Sequence, residues 1–76
     1  MLGIFKSKGE RELERILESM KINLRNNYKE PAHNDRMRLG QRAEELYAEK
    51  KINENVYRKY IRIYDEYTIK LKDYKH

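Results

Sequence analysis

The chain contains no cysteine. That excludes disulfides, thiolate nucleophiles and zinc-thiolate sites, and it fits a reducing cytoplasm. Glycine occurs three times and proline once; with abundant Glu, Lys, Arg and Leu this favours long helices over a sheet, and no glycine-rich phosphate loop can be assembled. Long apolar runs are missing too. The opening MLGIF is interrupted by Lys6, short of the seven or so residues of a signal-peptide core, and nothing approaches the roughly 20 apolar residues of a membrane span. Histidine is confined to His33 and His76.

At 76 residues there is room for one domain, which buries only about 60% of its unfolded surface. The hydrophobic fraction is 38% against 41% charged residues. A composition this polar resists a disorder reading only because its apolar residues recur at helical spacing.

Caps and breakers divide the chain into three segments. Ser7-Lys8-Gly9-Glu10 is an S-x-x-E capping box, so a first helix is expected over about 8–27, following a short N-terminal segment 1–7. At 100° per residue, Leu13, Ile16, Leu17, Met20, Leu24 and Tyr28 share an arc of about 120°, with Ile22 opposite. Asn26 and Asn27 followed by Pro31 mark a break, and a second helix is expected over about 31–50. Its inward residues Ala32, Leu39, Ala43, Leu46 and Tyr47 are few and small, with Gly40 close by, which makes it the weakest of the three. Asn53 is a good N-cap, with Ile52 and Tyr57 placed to staple across it, and a third helix is expected over about 54–74. Each helix is about 30 Å long and the links are short, so neighbours run antiparallel. The expected fold is all-α: an up-down-up three-helix bundle over residues 8–76.

Five of the seven tyrosines fall within the last 21 residues. With Val56 at zero, Tyr57, Tyr60, Ile61, Ile63, Tyr64, Tyr67, Leu71 and Tyr74 occupy an arc of about 160°. The rings share a face with aliphatic residues, so they read as the wall of a small core, their hydroxyls reaching the rim. The same width makes helix three the expected main supplier of that core. Glu54, Arg58, Arg62, Glu66 and Lys70 form a solvated i, i+4 row opposite. An arc wider than two flanking helices need leaves its margins for a protein partner or a second copy. Tyr57, Tyr74, Arg58 and Arg62 are the candidate contacts, because Tyr and Arg are enriched in binding hot spots.

The net charge of +5 raises nucleic acid as an alternative partner. Acids are interleaved throughout, so the excess is spread over all three segments rather than gathered on a recognition helix. The best basic groups are Lys6 with Lys8 and Arg11, and Arg36 with Arg38 and Arg42. These six are the candidate nucleic-acid contacts.

Catalytic machinery is sparse. Ser7 is taken as a cap, His33 and Asp35 are two residues apart and so do not share a helix face, and Glu44-Glu45 and Asp65-Glu66 read as solvated helix residues. A thin bundle also has no pocket of several hundred Å³ for a substrate. No enzymatic activity, cofactor, metal or small-molecule substrate is expected.

Asn26-Asn27-Tyr28-Lys29, the Tyr57-x-x-Tyr60 pair, Glu66-Tyr67 and the closing Lys72-x-Tyr74-x-His76 resemble a group of short uncharacterised all-helical proteins of Firmicutes, from the first helix onward. Those proteins often carry glycine where this chain has Lys50 or Lys51. The resemblance implies a bacterial cytoplasmic protein and supplies no activity, cofactor or site residue.

Overall fold

A computed structural model describes residues 6–72. Three helices follow one another: α1 (Lys8–Arg25), α2 (Lys29–Ala48) and α3 (Glu54–Lys72). The capping box works at its serine end: Ser7 is extended and its Oγ accepts from the Glu10 N–H at 3.1 Å. At the start of α3, Asn53 Oδ1 accepts from the Val56 N–H at 2.9 Å. Each of these bonds satisfies a donor that the helix itself leaves orphaned.

Both helix–helix turns are built the same way. Asn27 has φ 64° and Lys50 φ 61°. Around the first, the Tyr28 N–H donates to the Asn23 carbonyl at 2.8 Å and the Asn27 N–H to Leu24 at 3.0 Å; around the second, Lys51 donates to Leu46 at 2.8 Å and Lys50 to Tyr47 at 3.0 Å. These paired bonds are Schellman ends. They stop α1 at Arg25 and α2 at Ala48, two residues before the expected boundaries. The start of α2 also moves, from Pro31 to Lys29. Pro31 sits in the first turn, where a helix has no internal use for an N–H, so it is accommodated inside the helix instead of opening it. The expected end of α3 at residue 74 lies outside the described residues.

The core draws Leu13, Ile16 and Met20 from α1, Ala32, Leu39, Ala43 and Leu46 from α2, Ile52 from the turn, and Tyr60 from α3. This corrects the expected ranking. Helix α2 is the middle of the molecule and buries six residues, whereas α3 buries only Tyr60 and Leu71. Its small side chains are what let two neighbours approach it; they understate its role because a weak apolar stripe is read from residue size. Helices α1 and α3 both pack along α2 and approach each other much less closely. The result is a slab 42 × 24 × 15 Å.

Two polar devices tie α1 to α2. Asp35, only 6% exposed, accepts from Ser19 Oγ at 2.6 Å and from Asn23 Nδ2 at 2.9 Å. A buried carboxylate needs such partners. Nearer the other end, Arg42 grips both carboxylate oxygens of Glu12 at 2.5 and 2.9 Å and reaches Glu45 at 2.5 Å. The hydrogen bonds from Arg42 hold the Glu12 carboxyl below its usual range. Gly9 lets the α2–α3 turn cross the start of α1, since a Cβ there would stand 2.9 Å from Ile52 Cγ2 and 3.2 Å from the Lys51 carbonyl oxygen. Among the described residues no helix is long and apolar enough to cross a membrane.

Candidate protein-contact surface

The tyrosines of α3 are the natural starting point, and each has a different setting. The Tyr57 ring stacks on Tyr47, centroids 4.3 Å apart and planes 13° from parallel. Its hydroxyl donates to Glu44 at 2.8 Å, and this bond, with burial and the carboxylate charge, pushes the phenol pKa up. Tyr60 is the deepest aromatic, 1% exposed. Burial first, then the negative charges of Glu14 and Glu10 on α1, push its phenol up as well. Tyr67 is half-buried, with the Lys70 ammonium 5.3 Å from the ring centroid.

Tyr64 lies flat on α2. A Cβ at position 40 would come within 2.8 Å of its ring, so glycine is what admits the contact. The Arg36 guanidinium sits 5.4 Å from the same ring and donates to Thr68 Oγ1 at 2.9 Å, while Thr68 donates to the Tyr64 carbonyl at 2.8 Å. Arg36 Nε is buried without a partner. One α2 arginine is thus committed to holding α3, through ring and hydroxyl together.

Beside Tyr64 the surface dips. A groove of about 390 Å³, larger than was expected of so thin a bundle but an open surface dip, is lined by Met37, Gly40, Gln41, Glu44, Ile61 and Tyr64. Its floor exists because Gly40 has no side chain, its wall is the Tyr64 ring, and Met37 stands at its edge 58% exposed. Ile61 is half-buried there. The Tyr47–Tyr57 stack adjoins it through Glu44, which accepts the Tyr57 hydroxyl. An open apolar groove with a flexible thioether at its lip is chemistry for a side chain of another polypeptide, because Met adapts to what it meets.

Sequence reading found one wall of this site and missed the other. Tyr57 lies next to the groove but is already committed to Tyr47 and Glu44. Arg58 pairs with Glu54 at 2.5 Å on the exposed side of α3, and Arg62 is exposed with no ion pair among the described residues. Neither lines the groove. Tyr74 lies outside the described residues. Met37 carried no weight in the sequence, and Ile61 was read only as part of the α3 core arc; the usable signal was Met37 three residues before Gly40, a large apolar residue beside a gap.

The candidate nucleic-acid residues are dispersed. Arg36 points into the α2/α3 contact, Arg42 is held by two carboxylates, and Arg38 is exposed, its nearest carboxylate oxygen 3.9 Å away on Asp35. Arg38 and Arg42, four residues apart, share a side of α2 and Arg36 lies on another, so the three do not form one row. Lys6 pairs with Glu14. Lys8 and Arg11 are exposed and, among the described residues, free of ion pairs. Compared with protein-family models, curated proteins and solved structures, the chain matches none of them.

Proposed function

We propose that this protein works by protein contact, its simplest partner being a second copy of itself, and that the contact is made by the α2/α3 face. One observation carries the reading: the groove over Gly40, apolar at Met37, Ile61 and Tyr64 and open to solvent. Exposed apolar surface of this kind on a small protein marks interaction sites. The tyrosines of α3 serve it as a rigid wall, since Tyr57 and Tyr64 are fixed by α2 before any partner arrives. The absence of cysteine suits action in a reducing cytoplasm, and the likeness to helical proteins of Firmicutes supports a bacterial setting.

Sedimentation equilibrium over a wide concentration range tests the proposal, with Met37→Gln and Ile61→Ser in parallel. The wild type is expected to associate and both variants to do so at least ten-fold more weakly with unchanged helical circular dichroism. Equal behaviour of all three would remove the groove from the account.

Nucleic acid remains the second reading, favoured only by the unpaired cations Lys8 and Arg11 together with Arg15 on the exposed side of α1. Its signature is binding that weakens steeply with salt as counterions are released. A gel shift at two salt concentrations, wild type against Lys8→Glu/Arg11→Glu, separates it from the first.

A further inference from the structure

Two features of α3 are still without a task. Ile69 is 68% exposed, more than any other large apolar side chain described, and Arg58 and Arg62 stand on the same outer side. Ile61, Asp65 and Ile69, four residues apart, run as one strip beside the groove, with the two arginines along it. On the α2 side of the groove the same spacing places Met37, Gln41 and the acid pair Glu44-Glu45. Contacts between the helices give their register: Arg36 meets Thr68, Gly40 meets Tyr64 and Tyr47 meets Tyr57. Glu44 and Glu45 therefore stand level with the stretch between Arg58 and Arg62, and Met37 with the turn between Asp65 and Ile69. Within one chain the groove keeps these groups apart.

We infer that a second copy docks by a half-turn about an axis running along the groove, so that α2 of each copy lies on α3 of the other. The inference rests on the groove being a contact between two copies. Such a rotation leaves every residue at its own level along the helices, and in a closed two-fold each contact occurs twice. It sets Glu44 and Glu45 of one copy against Arg58 and Arg62 of the other, Met37 against Ile69, and Asp65 against the Gln41 amide. Acid meets base and apolar meets apolar. Arg58 has N–H donors to spare beyond its bond to Glu54, as Glu44 has lone pairs beyond the Tyr57 hydroxyl. A half-turn about an axis across the helices would instead lay α3 on α3 and bring the two Arg62 side chains together at the groove, a like-charge contact that costs binding energy. Charge complementarity thus selects the orientation, and it gives Arg58 and Arg62 a use although neither lines the groove.

Charge reversal tests the arrangement by sedimentation equilibrium. Glu44→Lys/Glu45→Lys and Arg58→Glu/Arg62→Glu, each alone, should associate at least about ten-fold more weakly than the wild type with unchanged helical circular dichroism, since like charges then face each other in both halves of the interface. An equimolar mixture of the two should recover association, because every facing pair is again opposite in sign. Mixing Glu44→Lys/Glu45→Lys with Lys8→Glu/Arg11→Glu, which makes the same change in net charge on α1, should not. The chain has no cysteine, so Met37→Cys mixed with Ile69→Cys should oxidise to a disulfide-linked heterodimer faster than either links to itself. Association of the wild type without recovery in the charge-reversed mixture, or Met37→Cys linking fastest to itself, would overturn the orientation and leave the groove contact standing. A wild type that stays monomeric at every concentration would remove both.

Discussion

Helix α2 holds its two neighbours by different means. Its buried Ala32, Leu39, Ala43 and Leu46 belong to the common core, and it secures α1 with carboxylate bonds: Asp35 to Ser19 and Asn23, Arg42 to Glu12. Towards α3 the ties are rings: Tyr47 on Tyr57, and Tyr64 on Gly40 beneath Arg36. Charged hydrogen bonds fix register by direction, whereas rings on a glycine fix only a distance and leave uneven surface beside them. That difference shows in the linings: the groove of about 390 Å³ on the α3 side is walled by Met37, Ile61 and Tyr64, whereas one of about 450 Å³ on the α1 side is walled largely by Lys8, Glu12, Arg42 and Lys51. It also assigns the two sides separate roles, α1/α2 as the fastened half and α2/α3 as the half left available.

Substitution should break the comparison unevenly. The largest effect belongs to Tyr60, the one α3 ring buried in the shared core: Tyr60→Ala is expected to cost roughly 3–5 kcal/mol, enough to leave so small a domain largely unfolded in urea titration. Gly40→Ala should cost about 1–3 kcal/mol by overpacking. Near-ultraviolet circular dichroism should register the displaced Tyr64 ring while the α1/α2 amides keep their hydrogen-exchange protection. Asp35→Ala should cost a similar ~1–3 kcal/mol, because Ser19 and Asn23 lose their acceptor, and its loss of protection should fall on α1 instead. If both variants loosen the same helix, the division into two halves is wrong.

Titration distinguishes the halves again. Glu12 has its pKa lowered by Arg42, so its contribution is present above the unfolded carboxylate value and is lost as pH falls through the lower folded value. Tyr57 and Tyr60 have raised pKa values. Their contribution is complete below about pH 10 and is lost as pH rises through the raised values. Hydrogen exchange across pH is expected to show α1/α2 yielding first in acid and the α3 contacts first in alkali. The smallest effect is a gain: Lys50→Gly removes a left-handed lysine and should add about 0.5–1 kcal/mol in chemical denaturation.

Three helices, their order and both short turns were legible in the sequence, because caps and breakers are local signals. Ser7 and Asn53 declare their helices unaided. What escaped was anything that depends on two helices meeting. Asp35 reads only as an acid off the His33 face, with no sign of burial until Ser19 and Asn23 are set opposite it, and Arg36 reads as part of a basic row until Tyr64 lies beneath it. Lys50 hid the end of α2, since a lysine in the left-handed region gives no warning that a glycine would have given. The weight of α2 was misjudged for a related reason: small residues look like a poor core, yet closeness of approach is what they supply. The groove was half visible, its Tyr64 wall legible and its Met37 lip not.

The most direct test of the account is an isotope-filtered nuclear Overhauser experiment on a mixture of labelled and unlabelled protein at millimolar concentration. The account predicts cross-chain contacts from the Met37 and Ile61 methyl groups, and none from Leu13 or Met20 in the closed core. A strictly monomeric sample with no cross-chain signal at Met37 or Ile61, or signal confined to the outer side of α1, would contradict it.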